Sequence, residues 1–170
     1  GKGGRDVLDG GLGDDRLLGG AGDDLLRPGL GGDVVLAGGG NDRILIDGDG
    51  TDARGQAGRD VFRFAEDGFF ESGDLTEIRG GGGADRVVLN GLDRGAVVIF
   101  DFESGSDVID LRGSFGPGET AATVFAGLRA TSDVPGYFGP EGTVVDLDTP
   151  LLLVLAGLSP GDVAAEDFLG

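Results

Sequence analysis

The chain contains no histidine and no cysteine. Without cysteine, no disulfide can stabilise the fold and no thiol nucleophile is available. Without histidine, the H-E-x-x-H zinc site of a metalloprotease is excluded, and the serines lack the base that usually activates a serine nucleophile. Catalysis by this chain is therefore not expected. An N-terminal catalytic domain in a parent protein stays open, because the chain begins within a repeat pattern and without methionine, as a fragment would.

Positive charge and long apolar runs are also scarce. The chain has 13 Lys and Arg against 31 Asp and Glu, which gives a net charge of −18. Such an acidic chain disfavours nucleic acid and anionic membranes as partners, whereas cations are its natural counterparts. The apolar stretch at 151–158 is well short of the roughly 20 residues that cross a bilayer, so no membrane span is expected.

Glycine, by contrast, is abundant, and much of it follows a nine-residue pattern. The pattern is G-G-x-G-x-D-x-U-x, in which U is a large apolar residue. Residues 10–18 and 19–27 match it at every specified position, and residues 1–9, 28–36 and 37–45 each depart at one glycine, replaced by Lys2, Pro28 and Ala37. A fixed short period indicates a repeat architecture and argues against a flexible glycine-rich linker.

Beyond residue 45 the sequence predicts a slip of the register by one residue. Arg54 then stands where the apolar residue of a poor unit at 47–54 should be. The unit at 55–63 restores the pattern through Gly58, Asp60 and Phe62, and an isolated unit follows at 80–88.

Each unit has room for a six-residue turn and a three-residue strand. Glycine permits positive φ, so the carbonyl oxygens of the turn can point towards one site. The aspartate adds a carboxylate to that site. Hard cations such as calcium prefer such oxygen ligands. If two units form one coil, Asp6 stacks near Asp24 and Asp15 near Asp33. Carboxylates about 5 Å apart repel by about 1 kcal/mol in water and more when desolvated, so this segment is expected to fold only with calcium. The stacked apolar positions form the expected core: Leu8, Leu17, Leu26, Val35 and Ile44.

These units resemble the RTX (repeats-in-toxin) nonapeptide of bacterial secreted proteins. The resemblance implies an all-β fold, with a parallel β-roll of nonapeptide repeats at 1–63 and a C-terminal capping β-region with antiparallel strands at 64–170. It also implies several Ca²⁺ ions held by sixth-position aspartates and glycine carbonyls: Asp6, Asp15, Asp24, Asp33, Asp42, Asp60, Gly11, Gly13, Gly20, Gly22, Gly29, Gly31, Gly38 and Gly40. Further metal candidates are Asp85, in the isolated unit, and Asp47, Asp49 and Asp52, in an acidic loop that either binds another ion or is simply solvated.

The rest of the chain carries two more resemblances. Residues 60–64, D-x-F-x-F, resemble the element that closes RTX arrays. Residues 99–111 resemble the I-x-D-F-x-x-G-x-D-x-I-D-L element of serralysin-type proteases, in which Asp101 and Asp107 either bind calcium or flank a turn between antiparallel strands. Strands are predicted at 86–89, 97–102 and 108–111, a short helix at 121–129, and a hairpin of 143–147 with 151–156.

These features predict a calcium-binding module that folds outside the cell, secreted from a bacterium or held at its surface. The acidic-then-apolar end at 159–170 resembles the C-terminus of type I secreted proteins, which implies the type I secretion machinery as a partner. A monomer is expected. The alternatives are a polysaccharide- or surface-binding adhesin module and an accessory domain of a secreted protease, lipase or epimerase. An exposed arginine or aromatic stripe would favour extracellular polysaccharide as a partner, and the chain has a single tyrosine.

Overall fold

Strands dominate the computed structural model, which describes residues 1–48, 50–70, 75–89, 95–112, 124, 129–130, 141–145 and 151–169. The strands are β1 (Val7–Leu12), β2 (Arg16–Ala21), β3 (Leu25–Leu30), β4 (Val34–Gly39), β5 (Arg43–Gly48), β6 (Asp52–Ala57), β7 (Val61–Phe69), β8 (Leu75–Gly82), β9 (Arg86–Val88), β10 (Gly95–Ile99), β11 (Val108–Asp110), β12 (Arg129–Ala130), β13 (Gly142–Val145), β14 (Leu151–Ala156) and β15 (Phe168–Leu169). Short 3-10 helices occupy Pro160–Asp162 and Ala165–Asp167. The all-β prediction is confirmed.

The strands form two sheets, and successive strands of the repeats alternate between them. The first sheet has the order β1-β3-β5-β7-β9-β11-β15, and the second has the order β12-β13-β14-β10-β8-β6-β4-β2. Pairing is parallel except at β12–β13 and β13–β14. Val7 pairs with Leu25, and Arg16 pairs with Val34, an offset of eighteen residues in both sheets. Two nonapeptides therefore make one coil of a parallel β-solenoid, as predicted.

The repeat strands are longer than the three residues expected. β1 and β3 each span six residues and pair through Gly11 with Gly29 as well as through Leu8 with Leu26. A side chain at Gly29, which has a φ of +100°, would clash with the carbonyl oxygen of Gly11. Glycine at this second position therefore lets the backbone of one coil lie close to the next, and pairing continues into the turn.

The core lies between the two sheets. Leu17, Leu26, Val35 and Ile44 are buried as predicted, and Leu8 packs against them while partly exposed at the N-terminal end. The same apolar cluster continues without a break to Phe168 near the end of the described chain. Burial on this scale is the main term that stabilises the stack apart from any bound cation.

The predicted register slip after residue 45 is wrong. Ala53, not Arg54, pairs with Val35 and is buried at the apolar position, and Thr51 stands at the sixth position of that unit. Arg54 pairs with Leu36 and its exposed side chain bonds Asp52. The unit was difficult to recognise because a small apolar residue and a hydroxyl replace the large apolar residue and the carboxylate.

Both sheets continue past residue 63. β7, which carries Phe62 and Phe64, lies between β5 and β9, so this element does not close the stack. The unit at 80–88 is not isolated either, because β9 pairs with both β7 and β11. The division into domains at residue 63 stays a prediction.

The C-terminal predictions have mixed outcomes. β10 and β11 correspond to two predicted strands but lie in different sheets, so 97–111 is not an antiparallel hairpin. Their bounds, Gly95–Ile99 and Val108–Asp110, differ from those predicted by up to three residues. The predicted hairpin is confirmed, since Gly142 pairs antiparallel with Ala156. The predicted helix at 121–129 lies almost entirely outside the described residues, and no helix within the described part of the chain is long and apolar enough to cross a membrane.

Candidate metal centre

One column of aspartates follows the turns that lead into the first sheet. Each backbone N–H in this column donates to a carboxylate Oδ1 one coil further along the chain. The N–H···Oδ1 distances are 2.7 Å from Asp6 to Asp24, 2.7 Å from Asp24 to Asp42, 2.8 Å from Asp42 to Asp60 and 2.8 Å from Asp60 to Asp85. We call this row, Asp6, Asp24, Asp42, Asp60 and Asp85, the long column. Its geometry confirms the predicted stacking of alternate loops.

A second column follows the turns that lead into the second sheet. The N–H of Asp15 donates to Oδ1 of Asp33 at 2.8 Å. One coil on, Thr51 occupies the sixth position, and Thr76 follows it in register, because Asp52 pairs with Glu77. We call Asp15 and Asp33 the short column.

The second carboxylate oxygen is buried and unpartnered throughout both columns. Within the described residues, Oδ2 has no hydrogen-bond donor in Asp6, Asp15, Asp24, Asp33, Asp42, Asp60 and Asp85. A buried carboxylate oxygen without a donor is costly unless a cation satisfies it. Seven such oxygens at equivalent repeat positions fit a series of cation sites between turns.

The oxygens face a common space with main-chain carbonyls. An ideal Cβ built on Gly10 would lie 2.9 Å from Asp15 Oδ2 and closer still to the carbonyl oxygen of Pro28. Built on Gly19, it would lie 2.6 Å from Asp24 Oδ2 and would clash with the carbonyl oxygen of Ala37. The first-position glycine thus leaves open a cradle bordered by a carboxylate and a carbonyl, which are the ligands calcium prefers.

The predicted glycine ligands occupy the turn positions with unusual backbone. Positive φ occurs at all eight: Gly11, Gly13, Gly20, Gly22, Gly29, Gly31, Gly38 and Gly40. Their carbonyls at the second and fourth positions approach the backbone of the next coil, as Gly22 O does at Gly40. That they bind metal stays a prediction. Sequence reasoning missed the first-position carbonyls, including those of Pro28 and Ala37, because a carbonyl ligand places no demand on its own side chain.

Main-chain oxygens matter because the acidic side chains do not converge. No group of three acidic side chains meets at one point in the described residues. A cation between two turns would therefore be held by one carboxylate from each turn and by backbone carbonyls. Calcium accepts such mixed oxygen sets, with 6–8 ligands in flexible geometry.

The electrostatics of the columns favour a cation as well. Burial raises the pKa of Asp60 to about 7; the N–H of Asp42 opposes this rise, and the carboxylates of Asp85 and Asp42 add to it. Burial likewise raises the pKa of Asp33, Asp42 and Asp85, with help from neighbouring carboxylates. Without a positive partner, the folded columns thus resist being charged.

The other metal candidates have different environments. Asp52 bonds Arg54 and Arg79, which lowers its pKa, and Asp47 pairs with Nε of Arg27 at 3.2 Å. Asp101 accepts the N–H groups of Gly80 and Gly81, at 2.8 and 3.0 Å. Asp49 lies outside the described residues.

Asp107 follows Asp85, the last aspartate of the long column, and differs from the column members. Its Oδ1 accepts the N–H of Asp85 at 2.9 Å, and its Oδ2 accepts the N–H of Glu103 at 2.9 Å. Both oxygens therefore have donors, unlike those of the seven column aspartates. Asp101, Asp107 and Asp52 are tied to protein partners in this structure, and their metal binding stays an untested prediction.

Comparisons with known proteins bear on the repeats directly. The fold is a β-solenoid of parallel strands whose turns carry stacked aspartates. The family model of the RTX calcium-binding nonapeptide repeat, in four copies, matches residues 1–35. No curated protein matches the chain. The solution structure of the AlgE6R3 subunit of the Azotobacter vinelandii mannuronan C5-epimerase aligns with 99% of this chain and 80% of that chain, at 22% identity and a TM-score of 0.43.

Residues 1–35 thus match the RTX calcium-binding nonapeptide repeat, and the resemblance drawn from the sequence is confirmed. Repeats of this type bind calcium, and the matched residues include Asp6, Asp15, Asp24 and Asp33 of the two columns.

Proposed function

We propose that this chain is a calcium-dependent folding module of a secreted bacterial protein. The observation that carries the proposal is the set of seven buried, unpartnered Oδ2 atoms at repeating positions. In the absence of a cation, they add desolvation and mutual repulsion to the folded state. With calcium between the turns, each carboxylate gains an electrostatic partner, so binding and folding share one free energy.

The proposed module works as a concentration switch. Low cytosolic calcium leaves the column aspartates without a partner, and a chain with a net charge of −18 resists compaction. Such a chain can be threaded through a type I export channel. Higher calcium outside the cell then folds it, and the folded solenoid supports folding of a larger parent protein and opposes backward movement.

A calcium titration followed by far-UV circular dichroism, with magnesium as the control ion, tests this switch. We expect a cooperative change from disorder to β-structure with calcium and a much weaker response to magnesium, which prefers a smaller octahedral site. A chain that is already folded in chelator would refute the switch. Export is tested separately, by comparing secretion of the full chain through a type I exporter with and without its acidic C-terminal segment.

A second candidate function is binding of an extracellular anionic polysaccharide. Each of four arginines on the first sheet adjoins a buried core residue and so lies on the outer face: Arg27, Arg43, Arg63 and Arg86. Of these, Arg27 is paired with Asp47 and Arg86 with Asp110. Arg43 and Arg86 both pair with Val61 across the sheet, so they stand two strands apart, roughly 10 Å, with an apolar residue between them. A groove of about 520 Å³ follows this face. Guanidinium groups bind carboxylates in a bidentate manner, which suits a polyuronate chain.

Affinity electrophoresis through gels that contain polygalacturonate or neutral dextran, at fixed calcium, tests the second candidate. We expect Arg43→Gln to weaken retardation in the charged polymer. Arg54→Gln, on the opposite sheet, should leave it unchanged. Equal mobility of the wild-type protein in the two gels would exclude this function.

A further inference from the structure

The two columns differ in length, and the difference is located at one residue. On the long column, five aspartates in succession have an unpartnered Oδ2. On the other edge of the solenoid, Asp15 and Asp33 are the only aspartates that do so among the residues that the structure describes. The next two residues in register are Thr51 and Thr76, and Val97 follows, paired with Thr76.

The side chains of this second edge change from charged to neutral to apolar along the chain. Thr51 is fully buried, Thr76 is 1% exposed, and neither hydroxyl has a hydrogen-bond partner. Val97 is also buried, within the main core. A threonine hydroxyl supplies one neutral oxygen, whereas a carboxylate supplies charge and two oxygens, so a hard divalent cation gains far less there.

We propose that calcium fills two columns of unequal length and that Thr51 ends the shorter one. The inference rests on the proposed calcium binding and adds which turns hold ions. Asp42 has a carboxylate neighbour on both sides, so it serves two inter-turn sites. Asp33 has one on its Asp15 side only, so it serves one. Beyond Thr51, apolar packing stabilises the second edge of the solenoid. There, calcium binds only along the long column on the opposite edge.

Calcium content, measured by isothermal titration calorimetry and by atomic emission after gel filtration, tests the proposal. Thr51→Asp is expected to add about one ion per chain, because it supplies the missing carboxylate beside Asp33. Thr51→Asn is the matched control, because asparagine has the size of aspartate but no charge, and it should add no calcium ion. Thr51→Val should also leave the calcium content unchanged. Circular dichroism at saturating calcium shows which variants are folded.

A second pair of variants keeps the proposal testable if Thr51→Asp fails to fold. Asp42→Asn should lose about two ions and Asp33→Asn about one, in line with their numbers of carboxylate neighbours. Loss of an ion from Thr51→Val, or equal losses from the two aspartate variants, would overturn the unequal columns. Wild-type protein that binds no calcium would instead refute the proposed function itself, so the two failures are distinguishable.

Discussion

Replacing Asp60 with asparagine should have opposite effects with and without calcium. Asp60 is fully buried, and its Oδ1 accepts the N–H of Asp42, a bond that asparagine can keep. A pKa of about 7, against the ordinary 3.8, means that the charged carboxylate destabilises the metal-free fold by roughly 2–4 kcal/mol, with solvent screening taken into account. Asp60→Asn removes that cost. It also removes a carboxylate that lies between Asp42 and Asp85 and so serves two cation sites.

The assay is circular dichroism in chelator and across a calcium titration at pH 8. We expect Asp60→Asn to gain β-signal in chelator, most clearly with sucrose added, and to need at least about tenfold more calcium at the midpoint. Asp52→Asn is the control, because its carboxylate is bonded to arginines outside the columns; it should change stability by no more than about 1 kcal/mol in either condition. An Asp60→Asn midpoint equal to that of wild type would refute the reasoning.

Three further predictions concern pH, backbone and core. Because the pKa of Asp60 is raised in the folded state, the metal-free fold should be most stable below about pH 4 and should lose that stability as the pH rises towards about 7. The calcium-bound form should instead unfold in acid. Circular dichroism across pH, in EDTA and in calcium, checks both expectations, and parallel pH profiles would contradict them. Gly22 has a φ of +116° and faces a carbonyl of the preceding coil, so Gly22→Ala should lower the thermal unfolding midpoint in calcium. Gly39→Ala is the control and should leave the midpoint unchanged, because a Cβ there has no atom within 4 Å. Equal shifts for the two variants would argue against close backbone contact at Gly22. Phe62→Ala should lower the free energy of unfolding by about 3–5 kcal/mol, measured by urea unfolding with saturating calcium. Leu18→Ala should lower it by almost nothing, because Leu18 is 46% exposed. A small loss of stability for Phe62→Ala would place the main core elsewhere.

The repeat portion of the fold was predictable because its signals are local. The sixth-position aspartates and the apolar residues two places later recur with a fixed period, so stacking of Asp6 on Asp24 follows once two units form one coil. The same reasoning failed at 46–54. There, Thr51 and Ala53 keep the positions but not the chemistry, and tertiary contact with Val35 fixes the register that the sequence pattern does not show.

The remaining errors arise from contacts between distant parts of the chain. Whether β10 pairs with β11 or with β8 and β14 depends on which sheet each strand enters, and neither strand carries a repeat signal. The first-position carbonyls could not be predicted from residue type, since Pro28 and Ala37 offer the same backbone oxygen as glycine. The ends of the columns were hidden for a similar reason: Asp107 looks like a ligand, yet two N–H groups occupy its carboxylate.

The hydrogen bonds between the column aspartates all point in one direction along the solenoid, whereas the exposed Asp14 and Asp23 accept N–H groups from the turn that follows them. In each column bond, the backbone of an earlier turn donates to the side chain of a later one, from Asp6 to Asp24 through to Asp85 and Asp107. A turn is thus completed by its C-terminal neighbour, and Gly105, in the last of these turns, donates in turn to the buried Asp167. Folding should therefore begin at the C-terminal end of the solenoid and proceed coil by coil towards the N-terminus. Pulsed hydrogen exchange after calcium addition would show amides near Asp107 protected before those near Asp6, and the reverse order would mean that the direction of the ladder does not set the direction of growth.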